Sequence, residues 1–178
     1  MTKIEYPLFL PPHGLASKIP KDWTAKEALT YFEWLVQVSE KRINDLLIYF
    51  GEDVAGSPLD VLSRLGEKVT NTLHANEFST NHESSNPNLT NKGYALAADM
   101  GLLLAKLILS NCPEVTWNIV NKPRNDIDYH KPVLINIGRE TLEPIGLSIS
   151  VALGVLRGTK TYEAWKNVYS YCIKAVSP

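Results

Sequence analysis

The chain has 178 residues, 44% of them apolar and 21% charged, within the range of one soluble globular domain that can bury a core. Its formal net charge of −1 supplies no basic field to hold a polyanion, which sets nucleic-acid binding aside. The charge is nevertheless uneven: residues 1–89 carry 8 Lys/Arg against 12 Asp/Glu, and residues 90–178 carry 10 against 7.

Residues 1–22 begin MTKIEYPLFLPPHG, with Pro7, Pro11 and Pro12 denying the segment a helix and Tyr6, Leu8, Phe9, Leu10 and Leu15 offering apolar anchors. The reading is an extended N-terminal arm laid on the domain, with no basic n-region and unbroken apolar run of an export signal. At Thr24 the pattern changes. Thr24 and Glu27 make a T-x-x-E capping box, and Tyr31, Phe32, Leu35, Val38, Ile43, Leu46, Leu47 and Phe50 then recur at helical steps up to Gly51. Ser57 followed by Pro58 starts a second amphipathic helix through Leu62, Leu65, Val69 and Leu73. Residues 74–89 read HANEFSTNHESSNPNL, a long polar loop with little to bury.

Thr90 can cap a third helix through Ser110 whose apolar residues surround the axis, as in a central helix covered on most sides. Its apolar stretch, residues 94–109, holds Asp99 and Lys106 and falls short of the roughly 20 residues that a bilayer requires. Pro113 ends it. Two β-branched stretches, 115–120 (VTWNIV) and 132–137 (PVLINI), read as strands of a small antiparallel hairpin spanning 115–137. Pro144 opens a helix through Leu156 with a small-residue face of Gly146, Ser148, Ser150 and Gly154, and Gly158 closes it. A last amphipathic helix occupies 161–176. The expected fold is therefore a mostly helical α+β domain covering residues 1–178, with about five helices around a central buried helix at 90–110.

The chemistry is sparse. Cys112 and Cys172 stand 60 residues apart without CxxC or Cys-His spacing, so they read as free thiols in a reducing cytoplasm. His13, His74, His82 and His130 form no HExxH or HxH, and the pair His74 and His82, beside Glu77 and Glu83, lies in a loop without fixed geometry, so no metal is expected. Ser148 in Gly-Leu-Ser-Ile-Ser has Ser150 where a nucleophile elbow needs glycine, and helix where the elbow needs a strand and sharp turn. Gly51, Gly56 and Gly66 make no phosphate cradle, and no cofactor is expected.

Two features stand out. Asp99 is a carboxylate in an otherwise apolar helix and must be paired with a cation or backbone donors or lie near the surface, with Lys106, Arg124, Arg139 and Arg157 as candidate partners. The connection between the strands holds Arg124, Asp126, Asp128, Tyr129, His130 and Lys131, which can form a polar binding rim for a protein partner. The same set allows an alternative, a small hydrolase or transferase in which His130 works with Asp126 or Asp128, and Asp99 orients them. A third reading is a structural subunit of a homo-oligomer, joined through the Gly146 to Gly154 face or the arm. An exposed Trp23 or Trp34 would mark a docking surface.

Asp99-Met-Gly101-Leu-Leu-Leu in the third helix, Trp117, Pro132-Val133-Leu-Ile, Gly138, Pro144 and Gly158 together resemble small bacterial domains, some of them encoded beside polymorphic toxins as immunity proteins. The resemblance covers roughly the C-terminal half. It implies a cytoplasmic protein that binds another protein, a toxin whose active site it would block. It transfers no catalytic residue. The near-neutral charge departs from the acidic surface of many nuclease inhibitors and points away from a nuclease target. The expectation carried forward is a non-enzymatic protein-binding role, with no nucleic acid and no membrane involved.

Overall fold

Local capping chemistry sets where most of the helices begin. In the computed structural model, which describes residues 5–80 and 86–176, helix α1 (Ala25–Phe50) opens on a complete capping box. The Glu27 N–H donates to the Thr24 hydroxyl at 3.2 Å, and the Thr24 N–H donates to the Glu27 carboxylate at 2.8 Å. Gly51, at φ 60°, ends it in the left-handed region. Helix α2 (Pro58–Leu73) starts with Ser57 accepting from Asp60 N–H and proline at its first position. Helix α3 (Asn91–Asn111) starts with the Thr90 hydroxyl accepting from Gly93 N–H at 3.2 Å.

Residues 74–89 are less empty than their composition suggests. Strand β1 (Ser79–Thr80) pairs antiparallel with β2 (Asn88–Leu89), and Phe78, Ser79 and Leu89 are buried. Phe78 joins the core, while its carbonyl accepts from Thr90 N–H at 3.0 Å and so anchors the segment to the start of α3. His82 and Glu83, together with residues 1–4, lie outside the described residues.

The hairpin carries a third strand. Strands β3 (Thr116–Ile119), β4 (Pro132–Ile137) and β5 (Glu140–Leu142) form an antiparallel sheet in that order, with Trp117 opposite Leu134 and Ile119 opposite Pro132. Gly138 at φ 58° turns the chain so that Glu140 faces Ile137. Three residues are too few for an alternation pattern to register, which is why β5 escapes a sequence reading. Helix α4 (Pro144–Leu156) follows, then α5 (Ala164–Val176), which starts three residues later than expected; just before it, the Tyr162 carbonyl lies close against Gly66 of α2.

The described residues thus form a mostly helical α+β fold with α3 at its centre. Helix α3 packs most extensively on α4, then on α1, and meets α5 and α2 as well. Gly101 permits the closest part of that packing: a Cβ there would lie 2.5 Å from the Pro144 carbonyl oxygen. At 21 residues α3 is long and apolar enough to cross a membrane, longer than its apolar stretch suggests, yet 72% of its apolar window is buried inside the fold. The small-residue face of α4 is only partly taken up within the chain, with Ser148 and Gly154 buried, Gly146 half-buried and Ser150 exposed. Ser148 is buried and accepts from Trp165 Nε1 of α5 at 2.7 Å, and Gly154 lies against Lys160. Trp23 is buried, and Trp34 is half-buried with its ring edge-on to Phe9 of the arm at 5.3 Å.

Candidate functional site

Asp99 does have a cation, but not one of the four expected. Lys106 pairs with Glu40 at 2.7 Å, and Arg124, Arg139 and Arg157 are exposed. The partner is Arg42 of α1. Its Nε donates to Asp99 Oδ1 at 2.8 Å and its Nη2 to Oδ2 at 2.6 Å, a two-pronged pair in which Asp99 is 0% and Arg42 7% exposed. The Tyr6 hydroxyl donates to the same Oδ2 at 2.5 Å. The remaining guanidinium donors reach the Leu8 carbonyl at 3.0 Å and the Pro7 carbonyl at 3.2 Å. A carboxylate on α3, a guanidinium on α1 and the arm are therefore tied in one buried knot.

Burial pushes the Asp99 carboxyl up to about 6, against the opposing pull of Arg42 and Tyr6, and pushes the Tyr6 phenol well above its ordinary range. The donors and acceptors of this cluster satisfy one another. Its geometry is that of a structural tie, with the carboxylate closed off from solvent. Arg42 was legible in principle, since it falls seven residues after Leu35 and four before Leu46, on the buried stripe of α1.

The connection between β3 and β4 is built differently. Its backbone is fastened at the base and along its length: His130 N–H donates to the Val120 carbonyl at 2.7 Å, Lys131 N–H to Asp128 at 2.8 Å, and Asp126 N–H to Pro123 at 3.0 Å. Asp126 Oδ1 accepts from Asp128 N–H at 2.8 Å, an Asx-type turn. Lys131 Nζ lies 3.0 Å from Asp128 Oδ1. Tyr129 and His130 stack with ring centroids 3.9 Å apart. Above this base Arg124, Asp126 and Ile127 are exposed, and Ile127 is 86% exposed.

The structure brings Arg124, Asp126, Asp128, Tyr129, His130 and Lys131 into one element but does not join them as an acid-base set. His130 is buried at φ 65°, and its Nδ1 has no partner among the described residues. Neither Asp126 nor Asp128 hydrogen-bonds to its ring, because both carboxylates are occupied within the turn. No hydrogen bond or ion pair links Asp99 to this group; Asp99 sits in the buried tie. Beside the base lies Glu143, which sequence reasoning passed over. Its carboxylate caps α4 by accepting from Ile145 N–H at 3.1 Å and Gly146 N–H at 2.7 Å, and burial pushes it above the ordinary carboxylate range. A Glu directly before proline at a helix start was the available signal.

Compared with models of protein families, with curated proteins and with solved structures, the chain matches none. Function must therefore be read from its own geometry. Among the described residues, no group of three or more His, Cys, Asp or Glu is placed to hold a metal ion.

Proposed function

We propose that this protein is a non-enzymatic binder of another protein, and that its most specific form is an immunity protein that inhibits a bacterial toxin. One observation carries the reading: Ile127, a large aliphatic side chain 86% exposed, stands between charged neighbours on a connection whose backbone is already fixed. An exposed apolar residue ringed by polar groups suits the anchor of a protein interface, and a pre-ordered loop lowers the entropy cost of docking. Asp126, Asp128 and Lys131 support the same reading, since they engage one another or the backbone instead of converging on the His130 ring.

The test places a photo-crosslinking amino acid at position 127 and, as control, at the exposed position 67 on α2. Capture in the native cytoplasm of one stoichiometric protein from 127 alone, abolished by an Arg124→Ala change in the same chain, is the expected result. Equal yields from both positions, or no adduct from a chain with unchanged thermal stability, would overturn the proposal.

A further inference from the structure

Within the 121–131 connection, residues 121–127 are all exposed. The backbone there turns twice: the Asp126 N–H donates to the Pro123 carbonyl, and the Tyr129 N–H donates to the Asp126 carbonyl at 3.2 Å. Ile127 sits within the second turn, 86% exposed. The charged side chains around it differ in whether their charge is already engaged.

At the base it is engaged. Asp128 pairs with Lys131 at 3.0 Å, and Glu143 turns both carboxylate oxygens to backbone N–H groups of α4. On the exposed stretch it is not. Lys122 and Arg124 are exposed and form no ion pair among the described residues. Asp126 is the one carboxylate of that stretch, and its Oδ1 accepts from the Asp128 N–H at 2.8 Å. The free charge beside Ile127 is therefore cationic in balance. An isoleucine anchor needs an apolar pocket, and unpaired cations at its rim favour a pocket bordered by the opposite charge, because rim charges steer the encounter and penalise wrong partners.

We infer, on the protein-binding reading above, that the partner's contact face is acidic: an apolar pocket that receives Ile127, bordered by carboxylates that meet Lys122 and Arg124. A basic face that grips nucleic-acid phosphates would be repelled by the same two residues.

The test starts from the protein captured by the photo-crosslinker at position 127. In the same native extract, a water-soluble carbodiimide joins an amine to a carboxylate in direct contact, forming an amide while the carbodiimide takes up the lost oxygen as a urea. Lys122 should form that amide with an aspartate or glutamate of the captured protein, whereas Lys26, exposed on α1, should not. Arg124→Lys should add a second amide, from position 124. The double change Lys122→Glu with Arg124→Glu should lower capture from 127 at least about tenfold. Capture by the unchanged chain should fall as salt rises toward about 1 M, where the screening length is roughly 3 Å. Asp126→Asn keeps an acceptor for the Asp128 N–H and removes the opposing charge, so capture should rise about two- to threefold. The substituted residues are exposed, and an unchanged melting temperature verifies each variant. Capture from 127 with no amide at Lys122 or in Arg124→Lys, capture undiminished by the double change or by salt, or capture unchanged or lowered in Asp126→Asn would overturn the inference and leave the binding reading standing. No capture from 127 at all would overturn both.

Discussion

Replacing Arg42 with methionine should destabilise the fold in a way that depends on pH. The change removes the contacts at 2.8 and 2.6 Å and leaves a fully buried carboxylate with the Tyr6 hydroxyl alone. Breaking one side of a buried pair costs about 3–5 kcal/mol. In the intact protein, burial holds Asp99 at about 6, whereas an unfolded aspartate titrates near about 3.9. The folded state therefore takes up a proton first as pH falls, so stability carried by this residue grows on acidification through that window and is flat above it. Without Arg42 the folded carboxyl shifts higher still. The deficit of the variant is then larger at about pH 7.5 than at about pH 4.5, by up to about 2 kcal/mol for a folded carboxyl at about 6 in the intact protein. A smaller part, from the lost bonds to the Leu8 and Pro7 carbonyls, should not depend on pH. Urea unfolding followed by tryptophan fluorescence at both pH values gives the comparison. The double change Arg42→Met with Asp99→Leu should recover most of the loss, since apolar replacement of a buried pair is often neutral. A deficit below about 1 kcal/mol at the higher pH, or one equal at the two pH values, would refute the reasoning.

Gly101→Ala should drive a methyl group against the Pro144 carbonyl and cost about 1–3 kcal/mol, seen as a fall in melting temperature of roughly 3–10 °C. Ser148→Ala should cost about 1–3 kcal/mol by stranding the Trp165 indole N–H, and much less when combined with Trp165→Phe; equal losses in both backgrounds would deny the bond its role. Both cysteines are buried, and burial pushes Cys172 up to about 11 and raises Cys112. Dithiobis(nitrobenzoate) should accordingly label neither thiol in buffer and both in denaturant. Ile127→Ala should leave urea stability unchanged to within about 0.5 kcal/mol, as its exposure implies.

What the sequence disclosed was what it encodes locally. The Thr24 box, the Ser57-Pro58 start, the Thr90 cap and the Pro144 to Gly158 punctuation each act within a few residues, and each lies where the pattern predicted. Asp99 could be singled out because a carboxylate is anomalous in an apolar helix, but its partner is 57 residues away, a separation no short pattern spans. Lys106, one of the four candidates, lies on the same helix yet reaches outward to Glu40. Phe78 was obscured by Asn and Ser neighbours, and its burial comes from contacts distant in sequence, its ring against Tyr6 and Tyr49 and its carbonyl on Thr90 N–H at the start of α3. In the 121–131 connection the residue types were evident, but which carboxylate meets which donor was not. That depends on backbone turns and on the left-handed His130, which no residue preference fixes.

The Arg42 to Asp99 tie also orders events during synthesis. At about 5–20 residues per second, the 57 residues between them take roughly 3 to 11 seconds to appear. Until then α1 lacks the helix that covers its apolar face, and the guanidinium on its inner stripe has no counter-charge. Helix α1 therefore has to wait for α3, and α2 for the still later α5, before either apolar face is covered, so a nascent chain paused before α3 is complete should be a chaperone client.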